Sequence, residues 1–321
     1  MNIIEFNGRK IRIGESWNEL SLKHQYIAYQ ILLTNVTGIF EPHEHLQAKR
    51  LLLVQSFLNL TAKEMTDWQA IRKEEYGEDG QMIFFGELQQ LSETFNFLWE
   101  KVEPEDEDGQ EQTETEQYQL SLTLTKCPYR YLDYARKTKK GVRTSSKYYA
   151  PANDLENLTF GELATTFSLF ESFLESQEEQ TANELIATLY RPKKPTNAHN
   201  KRSNYEGDIR LPLLKHEATI PKRTKKMAKI PKQTKQLIIF WFACCRHQII
   251  SNYPNIFKRK EDIDQNQKND FGWGGLLLDL AQKDLSKLDN IYQQPYQNAF
   301  ILLSKLEADR LEQERLNLQR T

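Results

Sequence analysis

The chain of 321 residues carries 43 basic and 45 acidic side chains, a formal charge of −2, and is 39% apolar and 11% aromatic. That length admits two domains or one large one; the aromatic content excludes wholesale disorder, and 13 glycines with 11 prolines exclude a collagen-like or proline-rich chain. Three cysteines, Cys127, Cys244 and Cys245, are an odd set with two adjacent members, which points to reduced thiols rather than a disulfide framework.

The opening residues MNIIEFNGRKIRIG lack the basic stretch, apolar core and cleavage site of a secretory signal. They predict a β-hairpin: Ile3, Ile4 and Phe6 lead into Asn7-Gly8, the pair that tolerates two positive φ angles, and Lys10 to Ile13 alternate on the other side. A lone hairpin is marginal in water. Residues 118–125, with Tyr118, Leu120, Leu122 and Leu124 on one face, are the expected third strand of one small antiparallel sheet.

The rest reads as helical. Ser16 and Glu19 resemble a capping box before a helix carrying Tyr26, Ile27, Tyr29, Ile31 and Leu32, and a second helix covers 46–60. Leu60-Thr61-x-x-Glu64 and Leu158-Thr159-x-x-Glu162 repeat one pattern, in which Thr accepts an amide of the first turn and Glu reaches back to the cap amide. Further helices are predicted over 84–101, 160–176, 181–189, 234–250, 274–287 and 295–318. The run Leu237 to Cys245, LIIFWFACC, is far shorter than the roughly 20 residues of a membrane span and reads as a buried helix segment. Gly272-Trp273-Gly274-Gly275 reads as a bend before the helix Leu276 to Ala281.

Two segments break the packing pattern. Residues 103–117 hold eight acidic and no basic side chains; residues 191–235 hold fourteen basic and three acidic ones, with Pro192, Pro195, Pro212, Pro221 and Pro231 opposing a long helix. The overall −2 is therefore a cancellation of sorted charge. The expected organisation is a hairpin and helices over 1–102, an acidic flexible loop over 103–117, a strand and helices over 118–190 completing the first body, a basic flexible insertion over 191–235, and a helical region over 236–321. The fold class is mainly α with a small antiparallel β-sheet.

No catalytic signature is present: there is no phosphate-binding glycine loop, nucleophile elbow or HExxH, and no cofactor or metal is expected. Cys244-Cys245-x-His247 and His43-Glu44-His45 offer ligand types, but adjacent cysteines point about 100° apart on a helix, and no second pair completes a zinc site. Carboxylate pairs such as Glu178-Glu179 read as a solvated helix end. The strongest physical feature is the run from Lys222 to Lys235, seven positive charges in fourteen residues. Lys222, Arg223, Lys225, Lys226 and Lys229 are candidates for nonspecific binding of nucleic acid by counterion release. Pairing with the acidic 103–117 run and a plain solvated loop are the competing readings. Only Tyr205 supplies an aromatic within the insertion, so base stacking from it is poorly supported.

Several strings in order, SWNELSLKHQ (16–25), YYAPANDLENLTFGEL (148–163), NELIATLYRP (183–192), IIFWFACCRHQI (238–249) and FGWGGLLLDLAQ (271–282), resemble uncharacterised phage and prophage proteins of Bacteroidota from virion and tail-assembly gene regions. The resemblance spans most of the chain and brings no functional residues with it. It implies a non-enzymatic tail-assembly chaperone or accessory factor in the cytoplasm of the bacterial host or associated with the virion. The implied partner is another virion or assembly protein such as a tape measure, whose long apolar helix needs cover before the tube forms. The candidate groove for such a partner joins Ile239, Phe240, Trp241 and Phe242 to Trp273, Leu276, Leu277 and Leu278; the competing reading of these residues is hydrophobic core.

Overall fold

A computed structural model describes residues 2–6, 9–33, 42–61, 94–102, 117–137, 143–194, 208–213, 220–257, 272–281 and 284–318. The chain is mainly helical with small antiparallel β elements, and it divides into two compact units, Met1–Leu124 and Thr125–Thr321.

In the first unit, β1 (Asn2–Phe6) and β2 (Arg9–Ile13) form the expected antiparallel hairpin, with Ile4 opposite Ile11. Its Asn7-Gly8 turn lies outside the described residues. Trp17–Glu19 is a short 3-10 turn, and α1 (Leu22–Leu33) starts later than the Ser16 capping box predicts. Ser16 makes no side-chain cap; the Ser21 hydroxyl instead accepts the amide of His24 at 3.2 Å. Helix α2 (Pro42–Leu58) packs on α1, and Lys49 donates its ammonium to the carbonyl of Leu32 at the end of α1 at 2.7 Å. Asn59, at φ 52°, ends α2 in the left-handed region that Asn tolerates. The helix expected after Thr61 lies outside the described residues. Trp17, Leu53, Phe57, Phe95 and Leu98 are buried, with the Phe57 and Phe95 rings meeting edge to face at 4.9 Å.

Two expectations for this unit change. The strand expected at 118–125 is shorter, β4 (Gln117–Leu120), and pairs with β3 (Trp99–Val102) rather than with the N-terminal hairpin. Trp99–Val102 is therefore strand, where the helix predicted over 84–101 should have ended. Alternation identifies a strand but not its partner, which is set by whichever unpaired edge the packing brings alongside. Of the acidic run, all but Gln117 lies outside the described residues.

The second unit is built around a helical core. The strands β5 (Tyr131–Lys137) and β6 (Arg143–Tyr149) pair antiparallel, and two-residue β7 (Arg191–Pro192) joins the β6 edge. Helix α3 (Phe160–Ser176) has its predicted limits, because the Thr159 hydroxyl caps it by accepting the Glu162 amide at 3.2 Å. Then come α4 (Glu179–Leu189), α5 (Ile220–Met227), α6 (Lys232–Asn252), α7 (Gly272–Leu280), α8 (Leu288–Gln293) and α9 (Tyr296–Leu318). The glycines of 272–275 lie inside the start of α7 and are not a bend before it. The LIIFWFACC run is a buried stretch of α6, and among the described residues no helix is long and apolar enough to cross a membrane. Phe160, Phe167, Phe242, Phe257, Trp273 and Phe300 interlock mostly edge to face, with Phe167 5.4 Å from Trp273 and 6.0 Å from Phe242.

Candidate nucleic-acid interface

Four charged side chains lie where the basic segment begins, and they are mostly buried. The Glu162 carboxylate, in the first turn of α3, accepts from Arg191 Nη1 at 2.5 Å and from Arg210 Nη2 at 3.5 Å. Asp208 accepts from Arg191 Nη2 at 3.3 Å and from Arg210 Nη2 at 2.7 Å, and Arg210 Nη1 reaches the Leu189 carbonyl at 2.8 Å. Two carboxylates thus neutralise two guanidiniums that are each almost without solvent exposure. Burial, and then the nearby Arg210, lower the Arg191 pKa against the pull of Glu162 and Asp208. The backbone reinforces the knot: the Lys194 amide donates to Ile209 and the Leu211 amide to Pro192, each at 2.8 Å.

The described parts of 191–235 therefore depart from a flexible insertion. Arg191 and Arg210 are core residues, and Lys222 to Met227 belong to helix α5, where Pro221 sits in the first turn and costs no intrahelical hydrogen bond. Helix α5 docks on α4 with Thr224 and Met227 buried, and Arg223 donates Nε to the Ala187 carbonyl at 2.9 Å. Lys235 is buried at the start of α6 and bonds Glu179 at 2.6 Å. Residues 195–207, with Tyr205, and 214–219 lie outside the described residues.

Docking sorts the predicted basic residues into two sets. Lys222, Lys225 and Lys229 are exposed, while Arg223 and Lys226 are half-buried. Lys226 reaches the Tyr148 hydroxyl at 2.5 Å, and Lys229 the Tyr134 hydroxyl at 3.2 Å. Lys226 also lies over both rings, 5.2 Å from Tyr148 and 5.8 Å from Tyr134. Among the described residues, no carboxylate forms an ion pair with Lys222, Lys225, Lys226 or Lys229.

Those tyrosines belong to β5 and β6, a hairpin that the sequence reading did not anticipate. Its pattern is weak because, among its described side chains, only Leu132 and Tyr148, paired across the strands, are buried. The signal that could have found it is Lys-Thr-Lys-Lys-Gly between two Tyr-rich runs. The same stretch, 126–149, holds eight basic side chains and one acidic one. Helix α5, with its basic side chains, thus lies against a second cationic element, and tyrosines from that element stand among the lysines.

The predicted groove is filled. Phe240 is buried and Trp241 is 0% exposed, with its indole Nε1 donating to the Thr125 carbonyl at 2.8 Å. Trp273 stacks on Phe300 at 6.4 Å and meets Phe160 edge to face, and Leu276 is half-buried beside it on α7. The two expected walls do belong to one aromatic cluster, but Phe160, Phe167 and Phe300 of the chain itself occupy the space between them.

The cysteines are also interior. Cys127 Sγ lies 3.3 Å from the Tyr190 hydroxyl, and burial pushes its thiol up to about 11. Burial likewise raises Cys245 well above an ordinary thiol. Among the described residues, no group of three His, Cys, Asp or Glu side chains is placed to hold a metal ion. Comparison with protein-family models, curated proteins and solved structures finds no match.

Proposed function

We propose that the chain is a non-enzymatic accessory protein that binds nucleic acid through the surface formed by α5 and the β5–β6 hairpin, in the phage-assembly setting that the sequence resemblance implies. The observation that carries this reading is the apposition of two cation-rich segments, Ile220–Lys229 and the β5–β6 hairpin, in which Lys226 and Lys229 meet tyrosine hydroxyls and, among the described residues, pair with no carboxylate. Cations that have no carboxylate partner among the described residues draw a polyanion by releasing its condensed counterions. A fixed helix presents them at lower conformational cost than a free arm.

Fluorescence anisotropy with a labelled oligonucleotide across a salt series tests this. Replacing Lys222, Lys225 and Lys229 together by Ala should flatten the log Kd against log salt slope by about 2–3, since each phosphate contact contributes roughly 0.7–0.9. Arg223 and Lys226 are left in place because they hold α5 on the protein. An unchanged slope, or no binding by the unaltered chain, defeats the proposal.

Binding of another virion protein is a second reading, and α9 favours it in place of the filled groove. Ile301 is 62% exposed, and Leu302, Leu306, Leu311 and Leu316 are exposed along the same helix. Exposed aliphatics in such number mark a surface that another chain can cover. Co-expression with a tape-measure fragment should keep that fragment soluble, and Ile301→Glu with Leu302→Glu should abolish the effect. A fragment that aggregates equally with and without the protein removes this reading.

A further inference from the structure

The hairpin face turned to α5 carries two cations that share one ring. Leu132 lies opposite Tyr148 and Tyr134 opposite Ser146, so Tyr134 and Tyr148 are diagonal neighbours on that face. Lys226 donates to the Tyr148 hydroxyl at 2.5 Å in a partly buried contact, and Lys229 donates to the Tyr134 hydroxyl at 3.2 Å at the surface. The two ammoniums stand 5.8 and 5.7 Å from the centroid of the same Tyr134 ring. Each ammonium carries three donors, yet among the described residues neither has a second polar partner. Asp133, the hairpin's one carboxylate, lies on the other face, where the Ser145 hydroxyl binds it. At the end of α5, the Ala228 carbonyl accepts from the Lys235 ammonium, itself paired with Glu179, at 3.1 Å. That contact offsets the negative pole of the helix C-terminus.

Resting on the reading of this surface as a nucleic-acid interface, we infer that Lys226, Lys229 and the Tyr134 hydroxyl form a discrete phosphate site within it. The site takes a doubly charged phosphomonoester, the 5′-phosphate of a nucleic-acid end, in preference to the singly charged diester of the backbone. A tyrosine oxygen that accepts from an ammonium keeps its own proton for another acceptor. The three groups thus offer N–H and O–H donors beside one ring, together with two positive charges that repel each other until an anion joins them. A phosphomonoester supplies close to two negative charges at neutral pH, its second pKa being about 6. Charge-assisted hydrogen bonds from both ammoniums reward that second charge. Lys222 and Lys225 stand four residues before Lys226 and Lys229, about 6 Å toward the start of α5, and are exposed to meet the phosphates that follow.

The test uses the full chain and two oligothymidylate probes of about 15 units, labelled at the 3′ end and carrying either a 5′-phosphate or a 5′-hydroxyl. The unaltered protein should bind the phosphorylated probe about tenfold more tightly, the worth of one hydrogen bond to a charged group. Diffuse attraction alone predicts nearly equal affinities, because the remaining phosphates are the same in both probes. Lys229→Ala should weaken both probes and bring their ratio close to one, whereas Lys222→Ala should weaken both and keep the ratio. Tyr134→Phe, which retains the ring, should lower the ratio. Inorganic phosphate at constant ionic strength distinguishes a strand end from free phosphate. It should displace the phosphorylated probe only at millimolar concentration, and displacement by phosphate at the probe's own concentration overturns the assignment to strand ends. Equal affinity of the unaltered protein for the two probes overturns the site, leaves the polyanion interface standing and needs no variant to fold. A ratio unchanged by Lys229→Ala overturns it as well. Failure of the unaltered protein to bind either probe brings down the interface itself.

Discussion

Glu162 and Arg191 meet carboxylate to guanidinium at 2.5 Å, with side chains 5% and 1% exposed. Arg191 immediately follows α4 by way of Tyr190, Glu162 stands in the first turn of α3, and Asp208 with Arg210 closes the group from a third segment. Removing one partner from such a group leaves buried charge uncompensated, at a cost of about 3–5 kcal/mol. Glu162→Gln should therefore destabilise the second unit by that amount in urea unfolding. Thr159→Ala, which removes only the cap of the same helix, should cost about 1 kcal/mol. Equal costs for the two variants would mean that Glu162 serves the helix start rather than the ion group.

Gly161 is one residue earlier, and the Tyr292 ring of α8 lies directly over it. A Cβ at this position would stand 2.2 Å from the ring atoms, while the Tyr292 hydroxyl lies 3.0 Å from the Thr165 hydroxyl one turn on. Gly161→Ala must push α8 or its tyrosine outward, at about 1–3 kcal/mol, despite the gain in helix propensity. The same change in a Tyr292→Ala background should be neutral or stabilising. A double-mutant cycle measures this coupling, and additivity would show that the ring does not bear on Gly161.

The buried thiols make a pH prediction. Cys127 has an ordinary value of 9.0 and is pushed up to about 11 in the folded chain by burial, which outweighs its contacts with the Tyr190 hydroxyl and the Tyr129 carbonyl. Between those values the unfolded chain loses the proton and the folded chain keeps it. The associated stability is complete below about pH 9 and is lost as pH rises through about 11, on the order of 2–3 kcal/mol. Urea midpoints at pH 8 to 11 should fall more for the unaltered chain than for Cys127→Ala. At neutral pH, a thiol reagent should modify none of the three cysteines until denaturant is added, because all three are buried.

Local chemistry made much of the fold legible. Helix α3 begins where Thr159 accepts the Glu162 amide and follows its predicted span; α6 is a buried helix because nine apolar residues in succession cannot be solvated. The strand at 118–120 was readable from alternation and the hairpin at 2–13 from its turn pair. Each of these depends on neighbours within a few residues.

What escaped depends on residues far apart in sequence. The capping pattern of Thr159 and Glu162 is correct for the hydroxyl, yet the carboxylate goes to Arg191 and Arg210, 29 and 48 residues away, because a charged guanidinium binds it more strongly than a neutral amide does. In the basic stretch, charge counting treats Arg191, Arg210 and Lys235 like Lys222, although burial and ion pairing separate them completely. Tyr205 is the one aromatic in that stretch of sequence, and the tyrosines that serve its lysines come from a hairpin about 80 to 95 residues upstream. By itself the sequence determined the start of α3, the N-terminal hairpin, the buried run of α6 and how charge is distributed, since propensity, capping and periodicity act locally. Only the tertiary structure decided which charges are buried and which apolar side chains are core, and which rings stand beside which cations, because desolvation and pairing energies depend on long-range proximity.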